Sequence, residues 1–475
     1  SAKQFHTMKP SPAVFDGKDE EIETATYGGK AASICKLTQN QIETVPPICI
    51  DSQIFEHLAQ KIPEIKDFQT FLDRQFEQKI NSVNRNKKVN IKKLLLKLFY
   101  TDQKENTPPE HNSQSLAKPI IPKEDAEFVK QTFGKLFSEQ PFKDKFKQHL
   151  GAINQAILNF NLNDVAPQLE QDIITTIKKS YGDNIDEKRF AVRSSGRGED
   201  SPQNSFSGKF DTKLFVPQDQ IIASIKDVFA SAYTVESINY MLTQVGQTNV
   251  ATFKMGILIQ EMVDSKSAGT AFIKDDGTIE INSVFGQGEL HVSGEGSGDT
   301  WILKPVRSNH QETYTTYLSE IRAKDKKIVK NSSGTGIHKQ DVPVEESLSP
   351  SLNENEMSLL LTELKKVKHT YIQHKRGSDV EWAVGPNGKP YILQVRPITT
   401  SVNKPEVYRL DKIDKDTLLN QTGTPVSWGV VNGGVAVVAE TPEQAERELN
   451  NYKSQGRLVI LVVKNTTSAW EPVMR

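Results

Sequence analysis

A chain of 475 residues is long enough for roughly two to four domains of about 100–200 residues each. Its 36% hydrophobic and 25% charged residues are ordinary for a folded soluble protein, and a net charge of −1 excludes a global basic field that would recruit nucleic acid or anionic membrane. The two cysteines, Cys35 and Cys49, match no metal or redox spacing and argue against a disulfide-stapled secreted domain, so a cytoplasmic setting is expected.

In chain order, "SAKQFHTMKPSP" lacks the apolar core of a signal peptide. "YGGKAASICKL" (Tyr27–Leu37) places Gly28, Gly29 and Lys30 ahead of a helical pattern. Helix N-termini attract anions, so a phosphate site at Lys30 and plain helix capping both fit; the spacing is not that of a Walker motif. "VPPICI" leads into a short apolar strand. From about 51 to 188 the chain is rich in Lys, Gln, Leu and Phe, and apolar residues three and four apart predict amphipathic helices. Within it, Arg85–Lys97 reads as a solvated basic helix face and Thr101–Ser115 as a polar loop with paired prolines.

At Phe190 the texture turns to β-branched runs between Gly and polar turns. "AVRSSGRGEDSPQNSFSGKFDT" (Ala191–Thr212) is a strand delivering Arg193, a Ser/Gly loop whose backbone N–H groups suit phosphates, and a second strand. "GILIQEMV" (Gly256–Val263) is a buried strand ending in Gln260, Glu261, Met262 and Val263, where a carboxylate and backbone groups would face an adenine edge. "VFGQGELHVSGEGSGDTW" (Val284–Trp301), with Gln287, Glu289, Glu295 and Asp299, is either a loop over a ligand or a surface loop. "SLNENEMSLLLTELKKVKHTYIQHK" is a helix with a Ser or Asn cap. After Thr400 a polar linker precedes "GTPVSWGVVNGGVAVVAE", a helix and "GRLVILVVK", whose apolar run Leu458–Val463 is far short of the about 18 residues of a membrane helix. The class is α+β.

"DVEWAVGPNGKPYILQVRP" (Asp379–Pro397) predicts a hairpin turning on Asn387-Gly388. One face then pairs Asp379 with Arg396, Glu381 with Gln394 and Ala383 with Ile392. The other pairs Val380 with Val395, Trp382 with Leu393 and Val384 with Tyr391, and is wholly apolar. Glu381 and Gln394 offer two oxygens suited to Mg²⁺, and Arg396 stands one pleat along, within reach of a phosphate. An exposed face carrying an Asp379–Arg396 ion pair fits equally, and Pro390 threatens the register.

Taken together and in this order, "AVRSS…ED…SFSG…DT", "IQEMV", "FGQGE" and "DVEWA…YILQVRPIT" resemble the ATP-binding domain of the phosphoenolpyruvate synthase and pyruvate phosphate dikinase family, which includes rifampin phosphotransferases and glucan water dikinases. The likeness covers Tyr27–Ile50 and nearly all of Phe190–Arg475. It implies a two-lobed ATP-grasp fold, with an N-terminal lobe over 1–245 carrying a helical insertion at about 51–188, and a C-terminal lobe over 246–400. Residues 401–475 would be a linker and the first half of an α/β swivelling phosphohistidine domain.

By position, the resemblance implies Lys30 and Arg193 at the phosphates and Glu261 with the Met262–Val263 backbone at adenine, Gln260 beside them. Gln287 and Glu289 would line the nucleotide, Glu381 and Gln394 would hold Mg²⁺, and Arg396 would approach the transferred phosphoryl group. ATP and Mg²⁺ are the implied cofactors, and ATP would phosphorylate a histidine that passes the group to a small-molecule or glucan acceptor bound elsewhere. The family's Thr-Ser-His-Ala-like segment is expected just past Arg475, and no histidine here lies beyond His374. Glu236 and Met241 stand where the family carries arginines. A nucleotide-binding regulatory module without transfer is therefore the alternative reading.

Overall fold

Two antiparallel sheets carry the fold, each assembled from strands far apart in sequence. The computed structural model describes residues 14–15, 27–83, 131–196, 200–201, 204–205, 210–242, 249–288, 298–308, 311–398, 435–457, 459–463 and 470. The first sheet has the order β1-β2-β5-β3-β4, from β1 (Val14–Phe15), β2 (Ile48–Ile50), β3 (Phe190–Gly196), β4 (Thr212–Val216) and β5 (Met255–Glu261). The second has the order β9-β8-β7-β6-β12-β13, from β6 (Ser267–Lys274), β7 (Ile279–Phe285), β8 (Asp299–Ser308), β9 (Gln311–Glu320), β12 (Gly377–Val384) and β13 (Pro390–Pro397). The small hairpin of β10 (Lys326–Lys330) and β11 (Ile337–Asp341) is a two-stranded sheet of its own. The α+β class is as expected, with the strands divided between two sheets, one for each lobe. One element sits differently: β5, beyond the boundary drawn at 245, is hydrogen-bonded between β2 and β3 in the first sheet.

The two-residue period of the strands divides the core. Ile48, Ile50, Val192, Ile257 and Ile259 face one apolar cluster, while Cys49 and Leu258 face the other. The first cluster is filled by helices α2 (Ser52–Lys61), α3 (Pro63–Val83), α4 (Gln140–Asn159), α5 (Leu169–Tyr181) and α6 (Ile221–Ala230). Phe55 packs tilted against Phe229 with ring centroids 5.0 Å apart, and Phe68 meets Phe146 edge-on at 5.1 Å. The segment expected as an insertion therefore shares one continuous core with the first sheet. Arg85–Lys97 and Thr101–Ser115 lie outside the described residues.

The second cluster joins the lobes. Helix α1 (Gly29–Gln39) inserts Ala31, Ile34, Cys35 and Leu37 between Cys49 and Leu258 of the first sheet and Val380, Trp382, Ile392 and Val395 of the second. Helix α8 (Glu354–Thr370) covers the same face with Leu360, Leu364 and Val367. It starts at a capping box in which Asn353 and Glu356 satisfy each other's backbone N–H groups, so the Asn of the two cap candidates is used. Near the C-terminus, β14 (Val435–Ala439), α9 (Pro442–Ser454) and β15 (Val459–Val463) form a parallel β-α-β unit.

The hairpin keeps half of its expected register. Asp379 faces Arg396, Val380 faces Val395 and Glu381 faces Gln394, but beyond a bulge Trp382 faces Ile392, Ala383 faces Tyr391 and Val384 faces Pro390. The cause is the turn. Gly388 N–H donates to the Gly385 carbonyl at 3.0 Å, so Pro386 and Asn387 occupy the corners and Gly388 follows with φ +76°. Proline pre-sets the first corner, and the two-residue Asn387-Gly388 turn gives way to a longer one. Leu393 becomes the extra residue, and Ile392 enters the core in its place.

Candidate functional site

Arg193 lies opposite Leu258 in the sheet, so its side chain leaves the first lobe on the face toward the second. There its Nη2 donates to Gln394 Oε1 at 3.0 Å and lies 3.5 Å from Glu381 Oε2. The two oxygens that the register sets side by side thus converge on one cationic nitrogen. A donor set already gathered around positive charge, one carboxylate and one amide oxygen, fits a hard divalent cation. Among the described residues no cluster of three His, Cys, Asp or Glu side chains is placed to hold a metal, so further ligands would come from phosphates and water.

Helix α1 brings its N-terminus to the same place. Ala31 N–H donates to Ser195 Oγ at 3.1 Å and Ser33 Oγ donates to the Val395 carbonyl at 2.7 Å. Gly28, with φ +84°, permits this approach, since a Cβ there would lie 2.0 Å from the Ser195 carbonyl oxygen. Lys30 is the second residue of that helix, where the aligned N–H groups favour an anion.

One pleat along, Arg396 Nε and Nη2 each lie 2.7 Å from Asp379 Oδ2. The expected Asp379–Arg396 ion pair is present, but on a face where Asp379 and Gln394 are buried rather than exposed, and the two-oxygen set stands at the next step. Burial raises the Asp379 pKa, with the Arg396 charge opposing it, and Asp379 Oδ1 is buried with no hydrogen-bond partner among the described residues.

The sequence did not reveal that Glu381 heads a polar row. Thr270, Asn282 and Thr300 follow it in register across β6, β7 and β8, and Thr300 Oγ1 donates to Asn282 Oδ1 at 2.9 Å. This fixes the Asn282 amide with its N–H groups turned elsewhere.

At the end of β5 the strand period parts two neighbours that the sequence grouped together. Gln260 shares the Arg193 face, whereas Glu261 points with Ile257 and Ile259 to the helical side and pairs with Lys188 at 2.8 Å. Gln260 Nε2 donates to the Val45 carbonyl at 2.9 Å, which leaves its oxygen as the acceptor facing between the lobes. The Met262 N–H already donates to the Arg189 carbonyl at 2.7 Å, and the Val263 carbonyl accepts from Gln287 Nε2 at 2.9 Å. Gln287 is buried and structural in these contacts, and Glu289 lies outside the described residues. A cavity of about 690 Å³ is lined by Tyr181, Lys188, Glu261, Met262 and Lys330, among others, and by none of Lys30, Arg193, Glu381, Gln394 or Arg396. Two of the residues expected at adenine, Glu261 and Met262, thus line this cavity, while the polar convergence at Arg193 lies outside its lining. In α7 (Val235–Tyr240), Glu236 is exposed, and the following Met241 is buried in the first core.

Residues 24–416 match the family described as pyruvate phosphate dikinase, AMP/ATP-binding domain. Similar curated proteins include a probable phosphoenolpyruvate synthase of Archaeoglobus fulgidus, 28% identical over 60% of this chain and 36% of that one. The phosphoenolpyruvate synthase of Deinococcus radiodurans is 30% identical over 63% and 38%, and that of Pyrococcus furiosus 25% identical over 88% and 47%. The alignments thus span less than half the length of these relatives. Among solved structures, D-alanine–D-alanine ligase of Bacillus anthracis complexed with ATP aligns over 50% of this chain and 58% of that one, at 11% identity and a TM-score of 0.19, too low to carry an argument.

Proposed function

The chain belongs to the family of pyruvate phosphate dikinase AMP/ATP-binding domains, and on that premise we propose that it binds Mg·ATP between its lobes and passes a phosphoryl group to a histidine on a further domain or partner chain. The reaction would be synthase-like, ending in AMP and phosphate, with a small-molecule or glucan acceptor bound outside this chain. The observation that carries the reading is the convergence of Glu381 and Gln394 on Arg193 beside the N-terminus of α1.

Each residue then has a distinct task. Lys30 and the first N–H groups of α1 hold phosphate oxygens, and Arg193, which neutralises Glu381 without ligand, turns to the same anion. Glu381 and Gln394 hold the cation, and when bound Mg²⁺ neutralises charge on the phosphates. Arg396, kept extended by Asp379, meets the transferred phosphoryl group. Gln260, rather than Glu261, accepts from the base. Thr270 and Asn282 continue the polar floor beside Glu381. A cytosolic setting suits the buried free thiols Cys35 and Cys49.

A second reading retains binding and drops transfer. It is favoured by Glu236 and Met241, one exposed and one in the core, at positions where the family carries arginines. Product analysis of the full-length protein turning over ATP separates the two. AMP with phosphate is the expected outcome; ADP without AMP overturns the dikinase scheme, and no turnover with intact binding selects the second reading.

A further inference from the structure

The β10–β11 hairpin is fixed at both ends, to different lobes and in different ways. Its root is dry. Gly286 bridges to Ile328, where a Cβ would lie 2.2 Å from the Ile328 carbonyl oxygen, and Gln287 N–H donates to that oxygen at 2.9 Å. Just before the hairpin, Lys324 lies 2.5 Å from Asp299, both side chains fully buried. Its tip is wet and lightly held. Arg189 Nε of the first lobe donates to the Gly334 carbonyl at 2.8 Å. The Lys330 ammonium is 3.2 Å from Asp264, on the segment that crosses between the lobes, with 39% and 54% of the two side chains exposed. The same ammonium lies 5.8 Å from the ring of Phe215.

Arg189 connects the tip to the crossing. Its carbonyl accepts the Met262 N–H at 2.7 Å, and its Nη1 donates to the carbonyls of Lys188 at 2.9 Å and Asp186 at 3.1 Å. Arg189, Phe215, Met262, Asp264 and Lys330 all line the 690 Å³ cavity, so the strands near the tip have open space beside them. Phe215 holds φ +51°, a left-handed conformation uncommon for a non-glycine residue and costly enough to need support from its surroundings.

We infer that this hairpin is a strap, rooted in the second lobe and clipped to the first at Arg189, which sets how far the lobes open. One exposed ion pair and one charge-assisted hydrogen bond are weak enough to break and reform, whereas the backbone attachment at Ile328 and the buried Lys324–Asp299 pair are not. Release of the tip frees the crossing segment and lets the lobes part. The part of this inference that concerns ligand exchange rests on the nucleotide reading above.

Arg189→Ala and, separately, Lys330→Ala test it. Hydrogen exchange in the nucleotide-free protein reads the strap, and stopped-flow dissociation of a fluorescent ATP analogue in Mg²⁺ reads its consequence. The expected result is faster exchange across 331–336 in both variants and dissociation faster by about tenfold in Arg189→Ala, the order of one charge-assisted hydrogen bond. The double variant is expected to fall short of the product of the two effects, because either change frees the same tip. Faster tip exchange with unchanged dissociation overturns the inference, as does unchanged tip exchange. Lys330→Ala serves where Arg189→Ala fails to fold. If the wild-type chain binds no nucleotide, the functional reading falls instead, and X-ray scattering decides the strap: a larger radius of gyration in the variants supports it and an unchanged one overturns it.

Discussion

Glu381→Gln separates a ligand site from a structural ion pair, because the two roles predict opposite proportions of damage. The Arg193 Nη2 to Glu381 Oε2 distance is 3.5 Å, and the side chains are 16% and 26% exposed. A partly exposed pair at that distance contributes about 0–1 kcal/mol net, so the thermal midpoint of a domain this large should fall by no more than about 4 °C. Loss of the carboxylate from a cation site removes a charged contact worth about 1.5–3 kcal/mol, which weakens Mg·ATP by roughly 10- to 150-fold. Calorimetric titration of ATP in Mg²⁺, run beside thermal unfolding on the same samples, measures both. In EDTA the gap between variant and wild type should narrow sharply. An affinity within about twofold of wild type, with stability clearly lowered, would show that Glu381 is an ion-pair partner and not a cation ligand.

Lys324→Met should cost about 3–5 kcal/mol in denaturant unfolding, because it removes the charge partner of a fully buried Asp299 and leaves the carboxylate to neutral donors such as Arg322 N–H, Ser351 N–H and Ser351 Oγ. Gly28→Ala places a Cβ 2.0 Å from the Ser195 carbonyl at φ +84°, so α1 must retreat; both stability and ATP affinity should fall, read by thermal unfolding and calorimetry. The His374 pKa is held down at about 4, first by burial and then by the Lys36 charge, against an ordinary value of 6.5. The unfolded chain therefore binds the extra proton between those values, and stability present above pH 6.5 should be lost as pH falls toward 4. Discounted for its half-exposed ring, the effect is about 1–2 kcal/mol, and it should vanish in a His374→Gln variant compared by urea unfolding across that range.

What the sequence disclosed was local, and what it concealed was set by distant pairings. The Asp379–Arg396 and Glu381–Gln394 steps follow from strand alternation and were legible, as were Arg193 on a strand and Lys30 at a helix start. The bulge at Leu393 was not, because Pro386 and Gly388 together favour a longer turn than Asn387-Gly388 alone suggests. Which sheet face Gln260 and Glu261 each take was not legible, because "GILI" is apolar on both sides of the strand, with no alternation to show it. Thr270 and Asn282 join Glu381 only through the strand order β12-β6-β7, which no local pattern encodes. The helices after Asp51 were legible as helices, but their union with the first sheet in one core depends on contacts such as Phe55 with Phe229.

A Mg·ATP site between the lobes, around Arg193, Glu381 and Gln394, is read out by isothermal titration of ATP into this chain, with Mg²⁺ and again with EDTA. One site per chain is expected, tightened at least about tenfold by the metal, the order of one charged contact. Absence of binding under both conditions, or equal affinity with and without the metal, would contradict it.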